Sequence, residues 1–372
     1  MKRPVLVLLA LSFGLLLFSA PSAAQPARLI SPEHAGNAMN PVWSPDGSQV
    51  SYEVSYAREK YGSLFLLDVG RGSEVEIKPS AGARTSGGRF RVQRQVNHEF
   101  TWSPSGKLYA FASSGNDDDF DIHIKGVSVP IGSEAKEGGA SFSADGRYLS
   151  FTSARTGEGD LYLADIYGLE NEARRLTSGP GLEFYAVWSP VGQSLVYTAM
   201  GDEGANIRII RDPSKPESSD QALTTWKSTE LKPSFSPDGR WVAFFSNHGR
   251  KERTHFDVYV VKATGGEPFR IARDVIPNER SGPAWTPDGQ SLVVVRNDPN
   301  MGDPLVRVNL LNNVEQLIPT GTVNNGDPGV SGRPGDRSWS LVFVSQGKKG
   351  SDTQTWRRVW AMDLPADGAE PQ

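Results

Sequence analysis

The chain has 372 residues, no cysteine, and 39 basic against 43 acidic residues, a formal net charge of −4. Without cysteine there is no disulfide framework, no thiolate metal site and no lipid-bearing cysteine behind a leader. The mild acidity argues against the broad cationic surface that nucleic acid requires, and the length is ample for a core built on apolar burial alone.

The chain opens on Met1-Lys2-Arg3, continues from Val5 to Ala20 without a charge, and reaches Ser22-Ala23-Ala24 before Gln25. A short basic segment, an apolar run too short to span a bilayer comfortably and small residues before the cut predict a secretory signal over 1–24. The expected mature protein is soluble outside the cytoplasm, with 37 basic and 43 acidic residues. Its first strand-like segment, Ala27-Arg28-Leu29-Ile30, stands alone.

From there the sequence repeats. Trp43-SPDG, Trp102-SPSG, Phe142-SADG, Trp188-SPVG, Phe235-SPDG and Trp285-TPDG align, with aromatic residues 59, 40, 46, 47 and 50 positions apart. A weaker seventh copy has Val330 in the aromatic slot. In each unit the aromatic residue ends a short strand and Ser-Pro-Asp-Gly makes a tight turn: proline presets φ, aspartate bonds back to backbone amides, glycine takes positive φ. A second strand follows (QVSYEV, LYAFASS, YLSFTS, SLVYTA, WVAFFS, SLVVVR, SLVFVS), then a polar loop, then a third (LFLLDV, DIHIKGV, LYLADI, IRIIRD, DVYVVKA, LVRVNLL, RVWAMDL). Short fourth strands such as Arg174–Thr177 and Phe269–Ile271 close the unit. No segment has helix-period amphipathicity over three turns.

Four short strands every 40 to 50 residues predict an all-β propeller of antiparallel four-stranded blades over residues 25–364. Seven blades are expected, with 27–30 supplying the outer strand of the last; six, with the seventh unit an appendage, is the alternative. Residues 365–372 read as a disordered tail.

The WSPDG turns, and the stretch from Ser153 through Thr156-Gly157-Glu158-Gly159-Asp160-Leu161-Tyr162 to Asp165 with Arg175-Leu176-Thr177, resemble the TolB-like β-propeller repeat. The resemblance covers nearly all of the mature chain. It implies the propeller and, by analogy with envelope members, a periplasmic place beside outer-membrane lipoproteins and an energised inner-membrane complex. Other members gate serine peptidases or form a pectin-fragment lyase, so the resemblance specifies fold more than function. The α/β domain that envelope members carry ahead of the propeller is not expected here, since the first repeat begins at Trp43.

Within each blade the loops leading into the aromatic strand share a rim with those between second and third strands, and the SPDG turns face the other way. Function is expected on the variable rim. A carboxylate recurs there before the aromatic slot: Glu99, Glu137, Glu183, Glu230 and Glu279. These acids suit a divalent cation or a basic partner, or, as a repeated scaffold element, acceptance of hydrogen bonds within each blade. The longest gap between repeats carries Arg84, Arg89, Arg91 and Arg94, which read as a strand-like cationic flap for an acidic partner, or as a solvated loop. Basic clusters follow at Arg250-Lys251-Glu252-Arg253 and Lys348-Lys349. Asn116-Asp117-Asp118-Asp119-Phe120-Asp121 reads as an acidic turn and lacks the glycine and distal glutamate of a calcium loop.

His34, His98, His123, His248 and His255 are scattered around the ring; His34 and His98 are the best pair for a metal, and no helix-type metal spacing exists. There is no G-x-S-x-G elbow, Walker loop or dinucleotide fingerprint. The expectation is a non-catalytic, monomeric binding scaffold without cofactor in the periplasm, holding an envelope protein such as an outer-membrane lipoprotein. The alternative is a metal-assisted lyase or hydrolase of polysaccharide fragments.

Overall fold

A computed structural model describes residues 26–56, 62–78, 96–114, 120–127, 131–168, 172–333, 335–336, 338–348 and 356–365. The expected signal, the four flap arginines, Asn116–Asp119, Lys349 and residues 366–372 lie outside the described residues.

The turns form as their residues dictate. In the first, Ser44 Oγ donates to Asp46 Oδ1 at 2.6 Å, the Ser48 N–H donates to the same oxygen, and the Gln49 N–H donates to Ser44 Oγ. The same set recurs at Ser143-Asp145, Ser236-Asp238 and Thr286-Asp288. Gly47, Gly146, Gly239 and Gly289 hold φ between 69° and 72°, the left-handed region that favours glycine.

Each turn joins two antiparallel strands, and the strands assemble into sheets in chain order. The first sheet runs Asn37–Trp43, Gln49–Ser55, Gly62–Asp68, Ser73–Ile77. The second has Asn97–Trp102, Tyr109–Ser114 and Phe120–Ile124, with Ile131 bridging Ile122. The third runs from Glu137–Phe142 to Arg174–Arg175 and the fourth from Glu183–Trp188 to Asp220–Ala222. The fifth and sixth repeats are continuous, because the long strand Phe269–Ile276 closes the fifth and then pairs Val275 with Arg296 and Ile276 with Val295. That crossing shortens the first strand of the sixth repeat to Ala284–Trp285 and releases residues 277–283 as a loop. In the last sheet Gly326–Ser331, Ser338–Ser345 and Arg358–Pro365 are completed by the N-terminal Arg28–Leu29, which pairs with Ala361 and Trp360. The described residues contain one helix, the four-residue Pro216–Ser219.

First strands pack side by side from the second sheet through the fifth repeat, and those of the first sheet and the sixth repeat pack on that of the last; the side on which these strands lie is called the axis here. The aromatic slot explains itself between them: Trp188 Nε1 donates to Ser150 Oγ of the preceding sheet at 3.0 Å, and Trp285 Nε1 donates to the Ser234 carbonyl. Apolar clusters fill the spaces between consecutive sheets, and one joins Trp43, Tyr52 and Phe65 of the first sheet to Val342, Val344, Val359 and Ala361 of the last. An outer lacing joins third to fourth strands, where Arg175 donates to Asp160 at 2.7 Å and Arg270 to the buried Asp257.

Candidate functional site

Five residues before the aromatic slot stand Glu137, Glu183 and Glu230, and all three are buried. Glu137 accepts from Ser133 Oγ and Ser153 Oγ at 2.6 Å, and Arg155 lies 3.4 Å away. Glu230 accepts from Ser228 Oγ and Ser246 Oγ, and Glu183 from Thr177 Oγ1. Asn97 and Asn325 fill the same slot in other sheets with the same logic, accepting from Ser113 Oγ and Thr322 Oγ1. Glu137 and Glu230 tie loop to strand within their own sheets, whereas Glu183 joins its sheet to the third, whose Leu161 N–H donates to the same Thr177 hydroxyl. Burial drives the Glu183 carboxyl up to about 7, helped by the neighbouring Asp160 carboxylate and opposed by the Thr177 hydrogen bond; burial also raises Glu230.

Glu99 is a different position, three residues before its tryptophan. Here the first strand bulges, and the residue turns left-handed: Asn40, Glu99, Gly139, Tyr185, Lys232 and Asp327 have φ of 50°, 59°, 62°, 53°, 55° and 46°. The register shifts at each of these points. A bulge takes an N–H out of the ladder, and a buried N–H needs a new acceptor. At three of the six a carboxylate of a neighbouring sheet supplies it. Glu53 accepts the Glu99 N–H at 3.0 Å, Glu99 accepts the Gly139 N–H, and Asp327 accepts the Asn40 N–H at 3.1 Å and the Glu279 N–H at 2.7 Å.

Cations complete this network. Arg280, on the loop freed in the sixth repeat, reaches across the axis, donating from Nε to Glu53 at 3.3 Å and from Nη1 to Glu99 at 3.0 Å. Lys232 Nζ donates to the Asn278 and Glu279 carbonyls and stands 5.4 Å from the Tyr185 ring centroid. Burial raises Glu53 and Asp327 and lowers Lys232; burial also works against the Arg280 charge, but Glu53 and Glu99 outweigh it. Glu279 itself is exposed beside Arg280.

A cavity of about 430 Å³ opens against this network, lined by His98, Glu99, Phe120, Gly139, Phe184 and Tyr185. Two larger clefts lie apart from it. One of about 720 Å³ separates the Met200–Ala205 loop from His248 and Arg253, and one of about 640 Å³ lies among the turns of the third and fourth sheets at Asp145 and Gln193.

The histidines occupy separate environments. His34 Nε2 lies 3.0 Å from both the Tyr52 hydroxyl and Glu74, His98 packs on Phe120, and His123 stacks on Phe111. His248 stacks on Trp226 at 3.9 Å, and His255 lies between Glu252 and Asp274. Among the described residues no three of His, Asp or Glu gather as a metal site.

Of the rim acids singled out in the sequence, the structure brings Glu99 and the Glu279 backbone to the axis and holds Glu137, Glu183 and Glu230 buried apart from it. Glu53, Lys232, Arg280 and Asp327 were missed. The signal was present: Lys232-Pro233 and Asp327-Pro328 stand three residues before their slots like Asn40-Pro41, and Arg280 replaces the Asn or Glu of its repeat position.

Sheets of four antiparallel strands set around an axis define an all-β propeller fold. Residues 37–255 and 141–351 match the model of the TolB beta propeller domain, and the chain belongs to that family. Among relatives, an uncharacterized peptidase of Bacillus subtilis is 27% identical over 193 residues, 39% of this chain and 29% of its own length. The Tol-Pal system protein TolB of Francisella tularensis is 24% identical over 253 residues, 66% of this chain and 54% of its own length. An oligogalacturonate lyase from Vibrio parahaemolyticus superposes with a TM-score of 0.62 at 14% identity, covering 93% of this chain and 95% of that one. The fold is thus shared with TolB, a lyase and a protein named as a peptidase, and by itself selects none of them.

Proposed function

We propose that this protein is a periplasmic, non-catalytic scaffold whose variable rim holds another envelope protein, with an outer-membrane lipoprotein as the first candidate. The reading takes residues 1–24 as an export signal and 25–364 as one monomeric ring of seven blades, closed where Arg28–Leu29 pairs with the last strand. The antiparallel pairing at Ala361 and the apolar cluster between first and last sheets support that closure.

One observation carries the functional reading. The ionisable groups on the axis are largely committed to one another and to backbone groups, with Arg280 shared by Glu53 and Glu99, so they brace the ring and leave recognition to the rim and to Glu99, which also lines the cavity beside it. Among the described residues no helix is long and apolar enough to cross a membrane. The kinship with TolB supports the place and the type of partner. The exposed Glu279 and the flap residues Arg84, Arg89, Arg91 and Arg94 are proposed as partner contacts, with Glu99 at the cavity; Glu137, Glu183 and Glu230 act by holding the rim loops.

The test is capture from envelope extract on immobilised mature protein, with cross-links mapped by mass spectrometry. Retention of an envelope protein, cross-linked to the rim and weakened by replacing the four arginines with alanine, is expected. No specific retention, cross-links confined to the SPDG turns, or turnover of anionic oligosaccharides with stoichiometric metal would overturn the reading.

A further inference from the structure

The cavity beside Glu99 has walls of the kind that recognise a cation. On the second sheet His98 packs on Phe120 with ring centroids 4.7 Å apart, and on the fourth Phe184 and Tyr185 are also 4.7 Å apart. Between them the third sheet contributes the Gly138-Gly139 backbone, with Lys136, Thr152 and Glu158 also on the lining. A Cβ on Gly138 would lie 2.6 Å from Glu99 Oε2, so the absence of a side chain there is what lets the carboxylate reach the Gly139 N–H at the cavity floor. Aromatic faces attract guanidinium and ammonium groups through the ring quadrupole, and a carboxylate at the end of such a slot adds a charge-assisted hydrogen bond. Guanidinium suits the combination best, being planar, weakly hydrated and able to stack. His98 adds no opposing charge, because burial lowers its pKa and keeps it neutral.

The molecule already displays the ligand chemistry. Lys232 lies over the Tyr185 face, and Arg280 holds Glu99 from the axis side. Arg280 also has Glu53, so it keeps a carboxylate when Glu99 turns to a second cation.

The geometry points to this cavity as a recognition site for a basic side chain of the partner, arginine before lysine, with Arg280 as the internal guanidinium that competes for Glu99. The inference rests on the scaffold reading and names the chemistry of its partner.

The probe is N-acetyl-arginine amide, titrated into the full mature protein by saturation-transfer NMR and compared with the neutral N-acetyl-citrulline amide. We expect the arginine compound to bind about tenfold more tightly, equivalent to about 1.4 kcal/mol. Glu99→Gln and Phe184→Ala should each weaken it about fivefold, and Arg280→Ala should strengthen it several-fold by freeing Glu99, which a purely structural cavity would not do. Melting curves confirm that each variant is folded at the temperature of the titration. Equal binding of the two amides, or arginine binding indifferent to both Glu99→Gln and Phe184→Ala, would overturn the site. Envelope capture separates the two readings: capture without discrimination between the amides removes this site and leaves the scaffold, and discrimination without capture does the reverse.

Discussion

Replacing Glu183 by glutamine should stabilise the protein at neutral and higher pH and do nothing at pH 4. Glu183 is 4% exposed, and its carboxyl is pushed by burial from 4.5 to about 7. Its neighbour Asp160 is ion-paired with Arg175 through Oδ2, while Asp160 Oδ1 is buried with no hydrogen-bond partner. Glu183 lies within hydrogen-bonding reach of the Asp160 carboxylate, so its protonated carboxyl is placed to donate to it, and ionisation withdraws that donor and sets two carboxylates side by side. Because the folded-state value is raised, this group's stabilising contribution is complete below pH 4.5 and is lost as pH rises through about 7. At about 1.4 kcal/mol per unit, the cost of the ionised form approaches about 3 kcal/mol at pH 8. A glutamine amide donates to Asp160 at every pH and still accepts from Thr177 through its carbonyl. Urea unfolding followed by tryptophan fluorescence, from pH 4 to pH 8, should therefore show wild type and Glu183→Gln superimposed at the acid end and diverging by up to about 3 kcal/mol in favour of the variant at the other. A difference that does not vary with pH, or a variant weaker than wild type at pH 8, would refute the proton-sharing account.

Two further outcomes follow from the axis and the seam. Arg280→Ala strands Glu53, which is 5% exposed, and should cost about 3 kcal/mol in a chemical melt, with Glu53→Gln in the same chain recovering more than half of it; no recovery would mean that Arg280 acts through packing alone. Removing residues 25–31 deletes the pairing of Arg28–Leu29, the Ile30 N–H bond to the Val359 carbonyl and the bond from the Val359 N–H to Ser31 Oγ. A loss of about 3 kcal/mol is expected at about 1 kcal/mol for each bond, read as a lowered melting temperature and faster proteolysis at the exposed edge of Arg358–Pro365; an unchanged melt would argue against closure at this seam.

What was legible in the sequence is what local chemistry decides. Ser44-Pro45-Asp46-Gly47 forms its turn from its own hydroxyl, carboxylate and φ, so this copy and those at Ser143, Ser236 and Thr286 could each be read alone, and the apolar strand after each turn followed within a residue or two of where it stands. The pairing of the isolated segment 27–30 with the last strand was legible for the same reason, since a repeat one strand short points to its missing piece. The axis was not legible, because its bonds join residues without sequence proximity: Arg280 meets Glu53 across 227 positions and Glu99 across 181. Grouping Glu99 with Glu137, Glu183 and Glu230 as one recurring acid also concealed a difference of two positions relative to the aromatic slot. Across a bulge those two positions separate a side chain buried in its own sheet from one that faces the axis.

That difference gives a rule for reading the repeat. Where a position obeys the pattern, its side chain serves the sheet: Asn97, Glu137, Glu183, Glu230 and Asn325 all accept a hydroxyl from a neighbouring loop or strand. Where the pattern breaks, the chain has spent a scaffold position on something else. The equivalent slot in the sixth repeat is Arg280, which could not accept such a bond, and there the first strand is reduced to two residues and its lead-in loop turns inward across the axis. The glycine pair Gly138-Gly139 breaks the pattern next to the same carboxylate. Both departures converge on Glu99: Arg280 donates to its carboxylate from the axis side, and Gly138, where a Cβ would stand 2.6 Å from Glu99 Oε2, leaves it room to reach the Gly139 N–H, which is why the proposed basic-side-chain site is sought at the cavity beside it.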